Sequence, residues 1–209
     1  MLDVKHKIDN LRSWMEKENL DALIVPHQDE YLSEYLPPQN ERLYWSTGFT
    51  GSAGIAIVGR DKASIFVDGR YTVQVQEQVN KDIFEILHIT ENPYMDWIKD
   101  NFSKDSNIGY DPKLNTPVWL DNISKKLKGY NLTSLNENPI DLSWDNRPSS
   151  KVDKALLLSE NYTGESSESK RDKIAEKLKS NGADCAFISK LDSIMWLLNI
   201  RGNDIPCNP

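Results

Sequence analysis

Apolar residues recur at helical spacing at the start of the chain, with Val4, Ile8, Leu11, Trp14 and Met15 separated by charged positions. This spacing predicts a helix over residues 4–19 with one buried face. The unbroken apolar run at 20–25 predicts a buried strand. Two further apolar runs, 54–58 and 63–67, flank the polar segment Gly59-Arg-Asp-Lys62 and predict an antiparallel hairpin that ends at Asp68-Gly-Arg-Tyr71. Beyond it the pattern predicts a helix near 71–79, a strand at 84–89, a helix near 94–102, a strand at 108–110, a helix at 116–128 and a strand at 132–135. Helices alternating with strands, plus one hairpin, imply an α/β domain with a mixed sheet. Segment 138–150, with two prolines and a lone Trp144, reads as a linker with an anchor.

The same pattern then begins again. Residues 7–25 align without gaps with residues 170–188, and Pro26-His-Gln-Asp29 sits against Ser189-Lys-Leu-Asp192. Trp45-Ser-Thr-Gly-Phe-Thr-Gly51 matches Trp196-Leu-Leu-Asn-Ile-Arg-Gly202 once a longer connection in the first copy is allowed. Self-similarity of this kind marks duplicated architecture. The expected organisation is a first domain over 1–145, then a linker and the start of a related, truncated second domain over 146–209. The second copy is expected to contain a strand at 183–188 and to leave an open sheet edge after residues 196–200. On this reading the chain is a fragment whose chemistry lies outside it.

Composition narrows the function classes. With 38% hydrophobic and 27% charged residues the chain has a globular balance. Lys plus Arg number 25 against 32 Asp plus Glu, and the resulting charge of −7 lacks the basic stripe that phosphate neutralisation needs. Nucleic acid is therefore not an expected partner. No apolar run approaches the roughly 20 residues that span a bilayer, and the first ten residues lack a signal-peptide core, so no membrane partner and a cytoplasmic address are expected. Cys185 lies in an apolar run and is expected to be a buried, inert thiol, with no disulfide to Cys207.

Catalytic templates are missing from the chain. It has no HExxH, Cys-x-x-Cys, GxSxG or P-loop spacing. His6, His27 and His88 fall in separate elements and read as ordinary surface or half-buried histidines. The glycines of Gly48-Phe-Thr-Gly-Ser-Ala-Gly54 lack the lysine and helix start of a phosphate cradle, and close backbone approach before the hairpin is the better reading. Glu34, Glu41 and Arg42 flank a Tyr/Trp-rich stretch broken by Pro37-Pro38, which reads as a long loop that either lines a site or is simply solvated. Arg70 is the sharpest candidate. At the end of an apolar strand its planar fork can be aimed at a carbonyl or carboxylate, or it can form a structural ion pair with Asp68, which the residues alone favour.

Taken together, the duplicated frame, Asp68-Gly-Arg-Tyr71, the stretch Glu41-Arg-Leu-Tyr-Trp-Ser-Thr-Gly-Phe-Thr-Gly-Ser-Ala-Gly54 and Leu191-Asp-Ser-Ile-Met-Trp-Leu-Leu-Asn-Ile-Arg-Gly202 resemble the longer, three-domain Xaa-Pro aminopeptidases (aminopeptidase P) over nearly the whole chain. Trp144, Arg147 and Pro148 also look like that family's linker. The resemblance implies a creatinase/prolidase N-terminal fold of ribonuclease H-like, mixed-sheet type, followed by a truncated second copy. It implies a full-length metallopeptidase that removes the residue preceding Pro, using two divalent metals, manganese as a rule, held by two Asp, two Glu and one His of a C-terminal domain. None of those ligands has a counterpart here, so this chain alone is expected to bind no metal and to be inactive. Arg70 matches the family arginine that reaches the bound peptide, and Glu34 matches a position near the active-site entrance. A homodimer is implied for the whole protein. Prolidases and creatine amidinohydrolases carry a single N-terminal domain, which the duplication does not fit. The alternative is a non-catalytic peptide- or protein-binding module of the same fold.

Overall fold

The computed structural model describes residues 3–205. The chain divides into two compact units, residues 1–148 and 149–209.

The first unit is a six-stranded sheet between two helical layers. Its elements run α1 (Val4–Lys17), β1 (Ala22–Pro26), α2 (Arg42–Thr47), β2 (Gly54–Gly59), β3 (Ala63–Val67), α3 (Thr72–Gln78), β4 (Glu85–His88), α4 (Tyr94–Asn101), β5 (Asn107–Tyr110), α5 (Pro117–Lys126), β6 (Asn131–Ser134) and α6 (Pro139–Ser143). Strand order is β4-β3-β2-β1-β5-β6. Only β2 runs against its neighbours, pairing antiparallel with β1 and β3, while the β3–β4, β1–β5 and β5–β6 pairs are parallel. The C-terminal ends of β1, β3, β4, β5 and β6 therefore gather along one edge of the sheet.

Both faces of the sheet are covered, which explains why its central strands read as continuous apolar runs rather than alternating ones. Side chains of β1 alternate between two cores. Leu23 and Val25 join Ile8, Leu11 and Met15 of α1 on one face, and Ala22 and Ile24 join Trp97, Ile98 and Ile123 of α4 and α5 on the other. Asp3 caps α1 by accepting from the His6 amide at 2.8 Å, and Thr116 caps α5 through the Trp119 amide at 3.1 Å.

Two helices differ from the sequence expectation. Residues 42–47, expected as loop, form α2, which Gly48 closes with φ +82°. Residues 139–143, expected as linker, form α6, with Asn138 as N-cap and Pro139 in the first turn. Arg42, expected in a long loop that either lines a site or is solvated, is 3% exposed. Its Nε and Nη2 donate to the two Asp141 oxygens at 2.7 and 2.9 Å, and Arg147 Nη1 lies 2.9 Å from the same carboxylate. This charge cluster locks α2 to α6, so Arg42 is structural. Trp144 does act as an anchor, with its ring centroid 6.0 Å from that of Trp45. At the glycine-rich stretch, a Cβ on Gly51 would lie 2.2 Å from Phe49 Cζ and 2.8 Å from Tyr71 Cδ1, so close approach is what that glycine permits.

The second unit contains α7 (Glu160–Thr163), α8 (Ser167–Ser180), α9 (Leu191–Leu198) and a two-stranded ribbon of β7 (Leu156–Leu157) and β8 (Ile200–Arg201). Residues 183–188, expected as a strand, are not one, and Cys185 is exposed rather than buried. Their counterpart β1 is held by β2 on one side and β5 on the other. No such partners flank 183–188 among the described residues, and a lone strand has no stable form. Residues 191–198, expected in part as sheet, form a helix. Cys207 lies outside the described residues.

One contact recurs in both units. Lys7 Nζ donates to Trp45 O at 2.9 Å and sits 5.1 Å from the Trp45 ring centroid. Lys170 Nζ donates to Trp196 O at 3.0 Å and sits 4.7 Å from the Trp196 ring centroid. These are the positions that the internal alignment matches. The helices bearing the tryptophans also end alike, in a left-handed residue at Gly48 and at Asn199.

Candidate functional site

The chain turns sharply where β3 ends. Asp68 Oδ1 accepts from the Arg70 amide at 2.9 Å, and the Tyr71 amide donates to Asp68 O at 3.0 Å. Arg70 then folds back on the same carboxylate, with Nη2 donating at 2.8 Å and Nε at 3.1 Å. This pairing holds the Asp68 carboxyl below the usual carboxylate range and raises the guanidinium. The structural ion pair weighed for Arg70 is therefore present. It occupies only the Nε/Nη2 edge of the fork. Nη1 points to Glu34, 4.0 Å away, and both side chains are 60% exposed. The fold thus brings the two sequence candidates together at the gathered strand ends, where they offer one cationic and one anionic group to solvent.

Glu34 stands on the long connection from β1 to α2. Its first turn is built on Asp29, which is fully buried and accepts from the Tyr31 and Ser33 amides at 3.0 and 3.1 Å. His27 continues β1, with its amide donating to Gly54 O at 3.0 Å. Its side chain, only 6% exposed, reaches back across the loop: Nε2 meets Glu34 O at 3.2 Å and Nδ1 lies 3.8 Å from Glu41 Oε2. Burial lowers the His27 pKa, against the raising effects of the Glu34 carbonyl and Asp29. Burial also pushes the Glu41 carboxyl up to about 7.

Beside these residues is an open cleft of about 400 Å³ lined in part by His27, Glu34, Ser52, Tyr94 and Trp119. A crevice outside the carboxyl ends of parallel strands is the usual ligand position in α/β sheets. Sequence reasoning singled out Glu34 and Arg70 but treated His27 as an ordinary histidine and Glu41 as a loop charge. No spacing links those two, because the loop between them closes only in three dimensions. Of the remaining histidines, His88 accepts from the Thr90 amide through Nδ1 and His6 is exposed. Among the described residues, no group of three or more His, Cys, Asp or Glu side chains is placed to hold a metal ion, and no helix is long and apolar enough to cross a membrane.

The model of the creatinase/prolidase N-terminal domain matches residues 7–141, and a second model with the same description matches residues 146–209. The chain belongs to the creatinase/prolidase N-terminal domain family. This creatinase-type chain is 36% identical over 206 residues to a probable Xaa-Pro aminopeptidase P of Neurospora crassa, covering 95% of the chain and 30% of that protein. It is 30% identical to Xaa-Pro aminopeptidase 1 of Dictyostelium discoideum, over 99% of the chain and 35% of that protein. It thus spans about a third of the length of these relatives. Among solved structures it superposes on the X-prolyl aminopeptidase of Caenorhabditis elegans, described as a cytosolic enzyme with a di-nuclear active site, with a TM-score of 0.89 and 31% identity over 100% of this chain and 36% of that one. The creatinase/prolidase-like N-terminal domain of a putative metallopeptidase from Corynebacterium diphtheriae shares the fold at a TM-score of 0.51 and 19% identity, covering 65% of this chain.

Proposed function

We propose that the chain is the N-terminal, non-catalytic part of a dinuclear-metal Xaa-Pro aminopeptidase, and that it shapes the entrance through which peptides with Pro in second position reach the metals. The observation that carries this reading is the superposition of all of this chain on the C. elegans X-prolyl aminopeptidase. In this reading residues 149–209 begin a second domain related to the first, which the recurring lysine–tryptophan contact supports. Two divalent ions, manganese by expectation, would be held by a C-terminal domain and would supply the Lewis-acid and water-activating chemistry there. The protein works in the cytoplasm, as the C. elegans relative is described to do, and as a homodimer, which sedimentation of the full-length protein checks.

Arg70 and Glu34 are the peptide-facing residues. Asp68 grips one edge of the guanidinium and leaves Nη1 free to donate to a peptide carbonyl or carboxylate, so the pair with Asp68 orients the arginine for binding rather than competing with it. Such a residue contributes binding and orientation but no bond-making. In the full-length enzyme, Arg70→Ala should lower kcat/KM by roughly 10- to 150-fold, the span of one charge-assisted hydrogen bond. Metal content and melting temperature should stay unchanged. Arg70→Lys should recover part of the loss, because an ammonium lacks the planar fork. An unchanged kcat/KM in Arg70→Ala would remove the residue from the site.

A further inference from the structure

The contact between His27 and Glu41 has a defined proton count. A carbonyl oxygen only accepts, so the 3.2 Å contact of His27 Nε2 with Glu34 O places a hydrogen on Nε2. In the neutral ring Nδ1 is then a bare lone pair, and it faces Glu41 Oε2 at 3.8 Å. A lone pair and an ionised carboxylate repel each other in a site where the two side chains are only 6% and 28% exposed. One added proton, on either partner, turns the repulsion into attraction. The backbone of His27 is fixed to β2, whereas Glu34 and Glu41 both belong to the connection from β1 to α2. The ring therefore ties that connection to the sheet at Glu34 O, and a proton between Nδ1 and Glu41 adds a second point of attachment.

We propose that His27 and Glu41 form a one-proton latch that positions the loop carrying Glu34, firm while the proton is held and loosened when it leaves. The purpose assigned to the latch rests on the peptide-entrance reading above. The latch itself does not. Asp29 also faces His27 from within the loop, where its Oδ1 accepts both the Tyr31 and Ser33 amides and its buried Oδ2 has no partner, and Arg42, beside Glu41, is turned away to Asp141 with Glu30 and Asp111 nearby. Burial favours the uncharged form of both partners, so Glu41 holds the proton at low pH. The carboxyl is raised from 4.5 to about 7, so the stability it contributes is complete below about 4.5 and is lost as pH rises to about 7. The loop should be firm near pH 6 and loose near pH 8.

The test uses the 209-residue chain, two-dimensional NMR and amide exchange. The His27 ring carbon and the Ser33, Glu34 and Tyr35 amides should shift together with an inflection near pH 7. The Ser33 amide should lose about tenfold in protection between pH 6 and pH 8 after correction for the intrinsic rate. Glu41→Gln, which keeps the shape of the side chain, should abolish both responses, and so should His27→Gln, whose amide can still donate to Glu34 O. Loop amides that ignore pH across this range, or the same inflection in Glu41→Gln, would overturn the latch. No peptide is hydrolysed in these experiments, so failure of the Arg70 assignment leaves this result standing, and failure of the latch leaves that assignment standing.

Discussion

Replacing Asp141 with alanine tests how the first unit is closed. Asp141 receives three charged donors, two from Arg42 and one from Arg147, and Arg42 is 3% exposed while Asp141 and Arg147 are 25% and 29% exposed. Removing one partner of a fully buried pair costs about 3–5 kcal/mol, most of it from the charge left behind. Partial solvent access to two of the three side chains reduces that to about 2–3 kcal/mol. At about 2–4 °C per kcal/mol for a unit of this size, the melting temperature should fall by roughly 5–10 °C. Trp45 of α2 packs on Trp144 just after α6, so the near-ultraviolet circular dichroism should change along with the melting temperature. An apolar replacement sharpens the test. Arg42→Met combined with Asp141→Leu removes the buried Arg42 charge and leaves only the part-exposed Arg147 without its carboxylate, so it should melt above Asp141→Ala alone. A fall of less than about 2 °C for Asp141→Ala, or a double variant below the single one, would show that the cluster is not what joins α2 to α6.

Three further outcomes are expected. Gly51→Ala forces a methyl into the Phe49 and Tyr71 rings and should cost about 1–3 kcal/mol, read as a lower urea midpoint. Lys170→Met strands the Asn199 Oδ1 acceptor and should destabilise the second unit by about 1–3 kcal/mol, read as faster amide exchange in α9 with that in β1 unchanged. The 209-residue chain with added manganese should not release the N-terminal residue from an Arg-Pro-Pro peptide, and release would place the metal chemistry within these residues.

Where the sequence was legible, burial left a clear pattern. The apolar runs of β1, β2 and β3 predict strands because both faces of the sheet are covered, and the stripe of Ile8, Leu11 and Met15 predicts α1 because one face of that helix is buried and the rest is polar. The short helices were harder to read. Six residues of α2 and five of α6 are too few for a periodicity, and a helix of that length is held by tertiary contacts such as Arg42–Asp141 that link distant residues. Asn138-Pro139, an N-cap followed by proline, was the one local signal for α6. Residues 183–188 have the composition of a strand, but composition does not supply neighbours to pair with. At the candidate site the sequence offered Arg70 and Glu34 singly. Their approach to 4.0 Å, and the engagement of His27 with Glu41, come from a loop whose closure leaves no spacing to detect.

The lysine under each tryptophan has a consequence for where such a domain can carry extra chain. In the first unit the clamp closes a span of 38 residues, and in the second a span of 26. The first span is 12 residues longer, and because the entropy of closing a flexible connection grows only with the logarithm of its length, that extra length is disfavoured by well under about 1 kcal/mol. With both ends pinned, the connection from β1 to α2 can lengthen without disturbing the strands. The extra length in the first copy is where Glu34 and Glu41 stand. A fixed pair of anchor points thus leaves the interval between β1 and α2 free to carry surface chemistry on a fold already secured.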